Sequence, residues 1–128
     1  MKVQVRIMLN CFLVGIGGFS GSVCRYLIGL LPIETGNGFP IKTLMINIVG
    51  SFLICLFTIL ATKNKELSPQ VILMLKTGIC GGFTTFSTFA FETSELISNG
   101  HTITSFIYVC ASIILSVLAI FLAQVLIK

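Results

Sequence analysis

Four long apolar runs, separated by short polar stretches, fill almost the whole chain; they cover about residues 7–31, 41–62, 69–91 and 102–127. A helix needs roughly 20 such residues to cross about 30 Å of hydrocarbon at 1.5 Å per residue. The pattern therefore predicts an all-α integral membrane protein, residues 1–128 forming one domain of four transmembrane helices. The connections are short. Pro32 to Pro40 holds Gly36, Asn37 and Gly38, a turn-rich linker, and Lys63 to Ser68 joins the second and third runs. Ser68-Pro69 has the form of an N-cap followed by proline at the first helical position, and Asn99-Gly100 that of a helix C-terminus. None of these connections could house a soluble catalytic domain.

Polar side chains inside a membrane are costly, so their positions carry the information. In the second run Thr43, Asn47 and Ser51 recur every four residues on one helical face. Ser105, Tyr108, Ser112 and Ser116 share one face of the fourth run, and Thr84, Ser87, Thr88 and Glu92 stand at helical spacing in the third. Such stripes can hydrogen-bond one helix to another. They can also form a polar pathway, because hydroxyls and amides donate to anions and accept from hydrated cations. Spacing alone does not choose between the two.

The third run is the anomaly. Between Gly78 and Phe89 it carries Gly78, Gly81 and Gly82 and the hydroxyls of Thr84, Thr85, Ser87 and Thr88. Glycine and threonine are weak helix formers, so a broken third helix is expected, with backbone carbonyls free to meet a small cation. Gly78 and Gly82 also make a GxxxG pair, as do Gly17 and Gly21, which favours close helix packing. Phe86 and Phe89 lie three apart and share a face beside the hydroxyls. Phenyl rings pack against lipid and core, but their electropositive edges can also face an anion.

Composition agrees with the membrane assignment. Apolar residues make up 55% of the chain and charged ones 9%, against about 25% charged in soluble proteins. Soluble enzymes, disordered tails and disulfide-rich secreted domains are excluded. The net charge of +4 comes from scattered residues with no basic cluster, so no nucleic-acid partner is expected. Cys11, Cys24, Cys55, Cys80 and Cys110 form no CxxC pair and read as small hydrophobes. Lys2 and Arg6 precede an apolar stretch ending in Ser20-Gly21-Ser22, as in a secretory signal. The run continues through Val23 and Cys24, too long for a cleaved h-region. Lys2, Arg6, Lys63, Lys65, Lys76 and Lys128 fall on one face and Arg25 and Lys42 on the other. That bias predicts both termini in the cytoplasm if one orientation dominates.

Three segments together resemble the Fluc/CrcB fluoride channel family. They are Gly17-Gly18-Phe19-Ser20-Gly21-Ser22-Val23-Cys24-Arg25-Tyr26, Asn47-Ile48-Val49-Gly50-Ser51-Phe52, and Gly81-Gly82-Phe83-Thr84-Thr85-Phe86-Ser87-Thr88-Phe89. They are similar to that family's GGxxGxxxRY, NxxGSF and GGxTTFSTF segments in order and spacing. The resemblance implies a fluoride-selective channel of the bacterial plasma membrane that passively exports fluoride and lowers its toxicity inside the cell. It implies an antiparallel, dual-topology homodimer with two pores. It further implies a structural sodium ion at the dimer centre, held by backbone carbonyls of Gly81 and Thr84. Phe86, Phe89, Asn47, Ser87, Thr88, Tyr108 and Ser112 would line the fluoride pores, with Arg25 beside the aqueous entrance. Dual insertion stands against the Lys/Arg bias, which on its own favours one orientation.

The main alternative is a proton-coupled exporter of the small multidrug type, also tiny and four-spanning. That mechanism needs a membrane carboxylate, whereas Glu92 and Glu95 read as lying past the third break. A haem anchor would need membrane histidines, and His101 alone sits at a boundary. No Ser/His/Asp set, HExxH or GxxxxGK[ST] is present, so neither an intramembrane enzyme nor an ATP-driven pump is expected.

Overall fold

The computed structural model describes residues 1–127; Lys128, counted above among the charges of one face, lies outside the described residues. Among the described residues the chain is helical with no strand. Helix α1 runs Lys2–Gly29, α2 Ile41–Lys63 and α6 Thr102–Leu126. The third crossing is built of pieces: α3 (Pro69–Leu73), a π-helical turn (Met74–Cys80), α4 (Gly81–Phe83) and α5 (Phe86–Ser98). Taken with the third crossing as Pro69–Ser98, four helical segments are long and apolar enough to span a membrane.

Two boundaries differ from the sequence expectation. Helix α1 begins at Lys2 rather than near residue 7, because Lys2, Gln4 and Arg6 are good helix formers that carry the helix beyond its apolar run. The third crossing continues past Phe91 to Ser98, where Leu96 is still buried. It stops in a Schellman closure: Gly100 N–H donates to Ile97 C=O at 3.0 Å and His101 N–H to Leu96 C=O at 2.8 Å. Gly100 makes this possible with a φ of 81°. At the other end Ser68 caps α3, its Oγ accepting from Val71 N–H at 3.3 Å, with Pro69 at the first helical position.

The glycines of the third crossing do not interrupt it. The chain stays helical through Gly78, Gly81 and Gly82, and the extended residues are Thr84 (φ −81°, ψ 158°) and Thr85 (φ −150°, ψ 118°). The glycines instead let backbones touch. A Cβ on Gly17 would lie 2.9 Å from Gly78 Cα, one on Gly21 2.8 Å from Phe83 N, and one on Gly82 3.0 Å from Gly18 Cα. Helix α1 thus lies directly on the π turn and α4, the packing that small residues permit between membrane helices. Helix α2 packs along α6, and α5 bridges the two. Leu44, Leu96 and Tyr108 form the buried centre of that second group, with Phe39, Ile48 and Phe89 against it. At the helix ends Lys42 Nζ donates to Gly29 C=O at 3.0 Å, and Lys63 Nζ to Ile127 C=O. Each lysine answers the negative end of a helix dipole.

Gly21→Ala should destabilise the fold by about 1–3 kcal/mol, because its methyl meets backbone that cannot move aside. Gly15 faces open space, so Gly15→Ala should be neutral or slightly stabilising through helix propensity. Thermal unfolding in detergent checks both, and equal melting temperatures for the two variants would contradict this packing.

Candidate functional site

The interruption at Thr84–Thr85 is held open by side chains. In an unbroken helix the Thr85 amide would donate to the Gly81 carbonyl. It donates instead to Asn47 Oδ1 at 3.0 Å, while Asn47 Nδ2 donates to Thr85 C=O at 3.3 Å. The Asn47 carboxamide of α2 therefore pairs with both backbone groups of one residue, as a neighbouring strand would. The next turn starts in the same way. Thr88 N–H donates to Thr85 Oγ1 at 3.2 Å, an N-cap, rather than to the Thr84 carbonyl. Thr85 Oγ1 donates in turn to Thr88 Oγ1 at 3.0 Å and lies 3.4 Å from Ser87 Oγ. Two carbonyls, those of Gly81 and Thr84, are thus released from the helical amides that would otherwise take them.

Beside this interruption lies a cleft of ≈ 410 Å³ between α2, the start of α5 and α6. Asn47, Ser51, Phe86, Phe89, Ser112 and Ser116 are among its walls. Phe86 is 80% exposed, and its ring lies 5.7 Å from that of Phe89, tilted by 45°. Ser112 is buried, and its Oγ has no hydrogen-bond partner among the described residues. In a wall this apolar, an unpaired hydroxyl is a donor awaiting an acceptor.

Behind Phe89 stands Tyr108, wholly buried, its ring 5.2 Å from Phe89 and 5.5 Å edge-on to Phe39. The Tyr108 hydroxyl donates to Glu92 Oε2 at 2.7 Å, and Thr43 Oγ1 donates to Glu92 Oε1 at 2.7 Å. One turn further on, Ser105 Oγ donates to Thr93 C=O at 3.1 Å. Glu92 also borders two cavities at this end of the molecule. One, of ≈ 310 Å³, includes Glu34 and Lys42; the other, of ≈ 390 Å³, includes Glu95 and His101.

Of the residues singled out in the sequence, the cleft gathers Asn47, Thr84, Phe86, Phe89 and Ser112. Ser87 is exposed and Thr88 is engaged by Thr85, so neither is part of the cleft wall. Tyr108 sits one layer behind the wall, Gly81 faces open space, and Arg25 lies half-buried on α1, which gives no residue to the cleft. Sequence reasoning counted Thr85 among the hydroxyls of the third run but gave it no role, although a threonine directly before the Phe86 run has the form of an N-cap. It also set Glu92 at an edge. The structure places it half-buried between two hydroxyls, because α5 runs two turns past the expected end.

Comparison with known proteins is consistent along nearly the whole chain. Residues 12–124 match the family described as CrcB-like protein, Camphor Resistance (CrcB). The chain is 48% identical over 107 residues to a fluoride-specific ion channel FluC of Chlorobaculum tepidum, covering 84% of this chain and 85% of that one. It is 41% identical over 118 residues to a protein of the same name from Methylobacterium radiotolerans, covering 91% and 82%. It is 43% identical over 122 residues to another from Gloeothece citriformis, covering 94% and 98%.

Thr85→Val keeps the shape of the side chain and removes the capping oxygen, so it should cost about 1 kcal/mol. Thr85→Ser should restore most of it. Melting in detergent reads the difference, and a Val variant as stable as the parent would remove the cap from the account.

Proposed function

Because the chain belongs to the CrcB-like family, we propose that it is a fluoride-selective ion channel and that it exports fluoride passively across the plasma membrane. It is a multi-pass membrane protein and not an enzyme. Its ion is supplied by acid chemistry: neutral HF crosses the bilayer and dissociates at the neutral pH inside. A negative interior then drives the anion outward, at about 2.3 kcal/mol per elementary charge per 100 mV. A bacterial cell holding this channel would keep its cytoplasmic fluoride low.

The observation that carries the reading is the unpartnered, buried Ser112 hydroxyl in a cleft with Asn47, Phe86 and Phe89. A small, hard anion loses its hydration shell in such a place unless donors replace it. Ser112 offers one O–H, and Asn47 keeps a second amide hydrogen beyond the one given to Thr85. Ring edges of Phe86 and Phe89 supply further positive potential without a full charge. Among the described residues no basic side chain lines the cleft to bind other anions indiscriminately. Ser87, Thr88 and Tyr108 extend this polar track through their contacts with Thr85 and Glu92, and Arg25 would stand at the aqueous entrance.

The working unit in this proposal is an antiparallel, dual-topology homodimer with two pores. The cleft is open on one side and Phe86 is mostly uncovered, which a second copy would close. The freed carbonyls of Gly81 and Thr84 fit a structural sodium ion. Sodium prefers hard oxygen ligands, and both helical amides that would occupy those oxygens are engaged elsewhere. A sodium ion held there would supply fixed positive charge at the centre of the dimer.

Reconstituted vesicles with a potassium diffusion potential should release fluoride and retain chloride. Phe86→Ile and Phe89→Ile should each slow release by up to about tenfold, in line with the loss of an aromatic edge contact. Equal fluoride and chloride flux would end the selectivity claim, and undiminished flux in both variants would reduce the rings to packing. Exchanging sodium for a bulky organic cation should lower the melting temperature of the purified protein, since loss of a bound ion removes its stabilisation. An unchanged melting temperature would remove sodium from the scheme.

A further inference from the structure

A carboxylate beside an anion pathway calls for explanation, since its charge opposes the ion it accompanies. Glu92 is not a stray surface acid. Each of its oxygens takes a hydroxyl at 2.7 Å, from Thr43 of α2 and from Tyr108 of α6. Both donors are buried, Thr43 at 7% exposure beside one end cavity and Tyr108 at 0%, so Tyr108 above all depends on the carboxylate for an acceptor. On one side Glu92 borders the polar end cavities with Glu34, Lys42 and His101. On the other it reaches the phenyl-lined cleft through Tyr108 and Phe89. Two convergent, desolvated O–H donors of fixed position are what an oxygen or halide anion binds, and here they hold an anion that belongs to the chain.

Resting on the fluoride reading, we propose that the Thr43 and Tyr108 hydroxyls form an anion subsite at the mouth of the pathway. Glu92 is the tethered occupant that an entering fluoride displaces. The carboxylate swings toward the adjoining cavities, the two hydroxyls turn to the ion, and the carboxylate returns once the ion has moved on to the Ser112 side. No bond is made or broken in this exchange. The tether keeps the donors satisfied while no ion is present, and any anion that binds two hydroxyls more weakly than a carboxylate does is turned away.

A tethered competitor raises the apparent dissociation constant by the inverse of the fraction of time the subsite is free. Glu92→Gln should therefore lower the half-saturating fluoride concentration for efflux from vesicles by about tenfold, as expected if the carboxylate holds the subsite nine-tenths of the time. Thr43→Val weakens carboxylate and fluoride alike in the parent, so it should shift half-saturation little there. In the Glu92→Gln background it weakens fluoride alone and should raise half-saturation by about tenfold. If Glu92→Gln does not fold, Glu92→Asp keeps the charge but cannot reach both hydroxyls, and half-saturation should again fall. A parent protein that conducts fluoride while Glu92→Gln leaves half-saturation unchanged, or while Thr43→Val acts equally in both backgrounds, overturns the tether. A parent that conducts no fluoride overturns the fluoride reading and the tether with it.

Discussion

Inside a bilayer no water stands by to take an unpaired amide, and an unsatisfied backbone group there costs several kcal/mol. An extended Thr84–Thr85 step in the middle of a span is therefore possible only if something in the protein takes over the lost helical bonds. The Asn47 carboxamide does this for Thr85, donating to its carbonyl and accepting from its amide. The Thr85 hydroxyl does it for the first amide of the following turn, that of Thr88. These two side chains take the amides of Thr85 and Thr88 and so leave the carbonyls of Gly81 and Thr84 without their helical partners. The asymmetry is chemically useful: two free carbonyls in a low-dielectric setting attract a cation, and free hydroxyl and amide donors beside them suit an anion.

The clamp works only if the third crossing stands at the right distance from α2, and that distance is set from the other side by glycine. Gly17, Gly18 and Gly21 bring α1 onto the backbone of the π turn and α4, where a single methyl would force the helices apart. Gly50 of α2 leaves the matching space for the Thr84 side chain. The extra backbone width of the π turn lies along the same contact. The interrupted segment is thus held between α1, which fixes its position through contact, and α2, which fixes its conformation through hydrogen bonds. Helix α6 meets it farther along, where Tyr108 and Ser105 reach α5.

Much of this was legible in the sequence, because two strong signals govern it. Apolar run length determined the four spans, and the polar stripes marked the faces that meet: Thr43 and Asn47, Tyr108 and Ser112, Thr84 and Glu92 all turn toward one another. The cause of the interruption was harder to read. Low helix propensity pointed to the whole stretch of glycines and threonines; tertiary packing keeps Gly78, Gly81 and Gly82 helical, and the opening falls at Thr84 and Thr85, where Asn47, thirty-eight positions away from Thr85, takes its amide. A contact at that sequence separation leaves no local trace. The depth of Glu92 was hidden for a related reason. Hydropathy falls near Phe91, but α5 continues as long as Thr43 and Tyr108 are there to receive its carboxylate.

In the proposed channel, discrimination among halides is a question of what the cleft wall offers the ion. The Thr85 donors are committed to Asn47 and Thr88, and Tyr108 and Thr43 to Glu92; Ser112 and the second Asn47 amide hydrogen remain free in the cleft. Few donors, one of them on the Asn47 amide already bonded to Thr85, give close approach to a small ion and little to a large one. Hydrogen bonds to a compact charge are short and strong, and they weaken steeply with distance. Chloride is also less hydrated than fluoride and would lose less on entering, so dehydration alone would favour the wrong ion. A preference for fluoride therefore asks for donors held in place, as the Asn47 amide is by its bonds to Thr85.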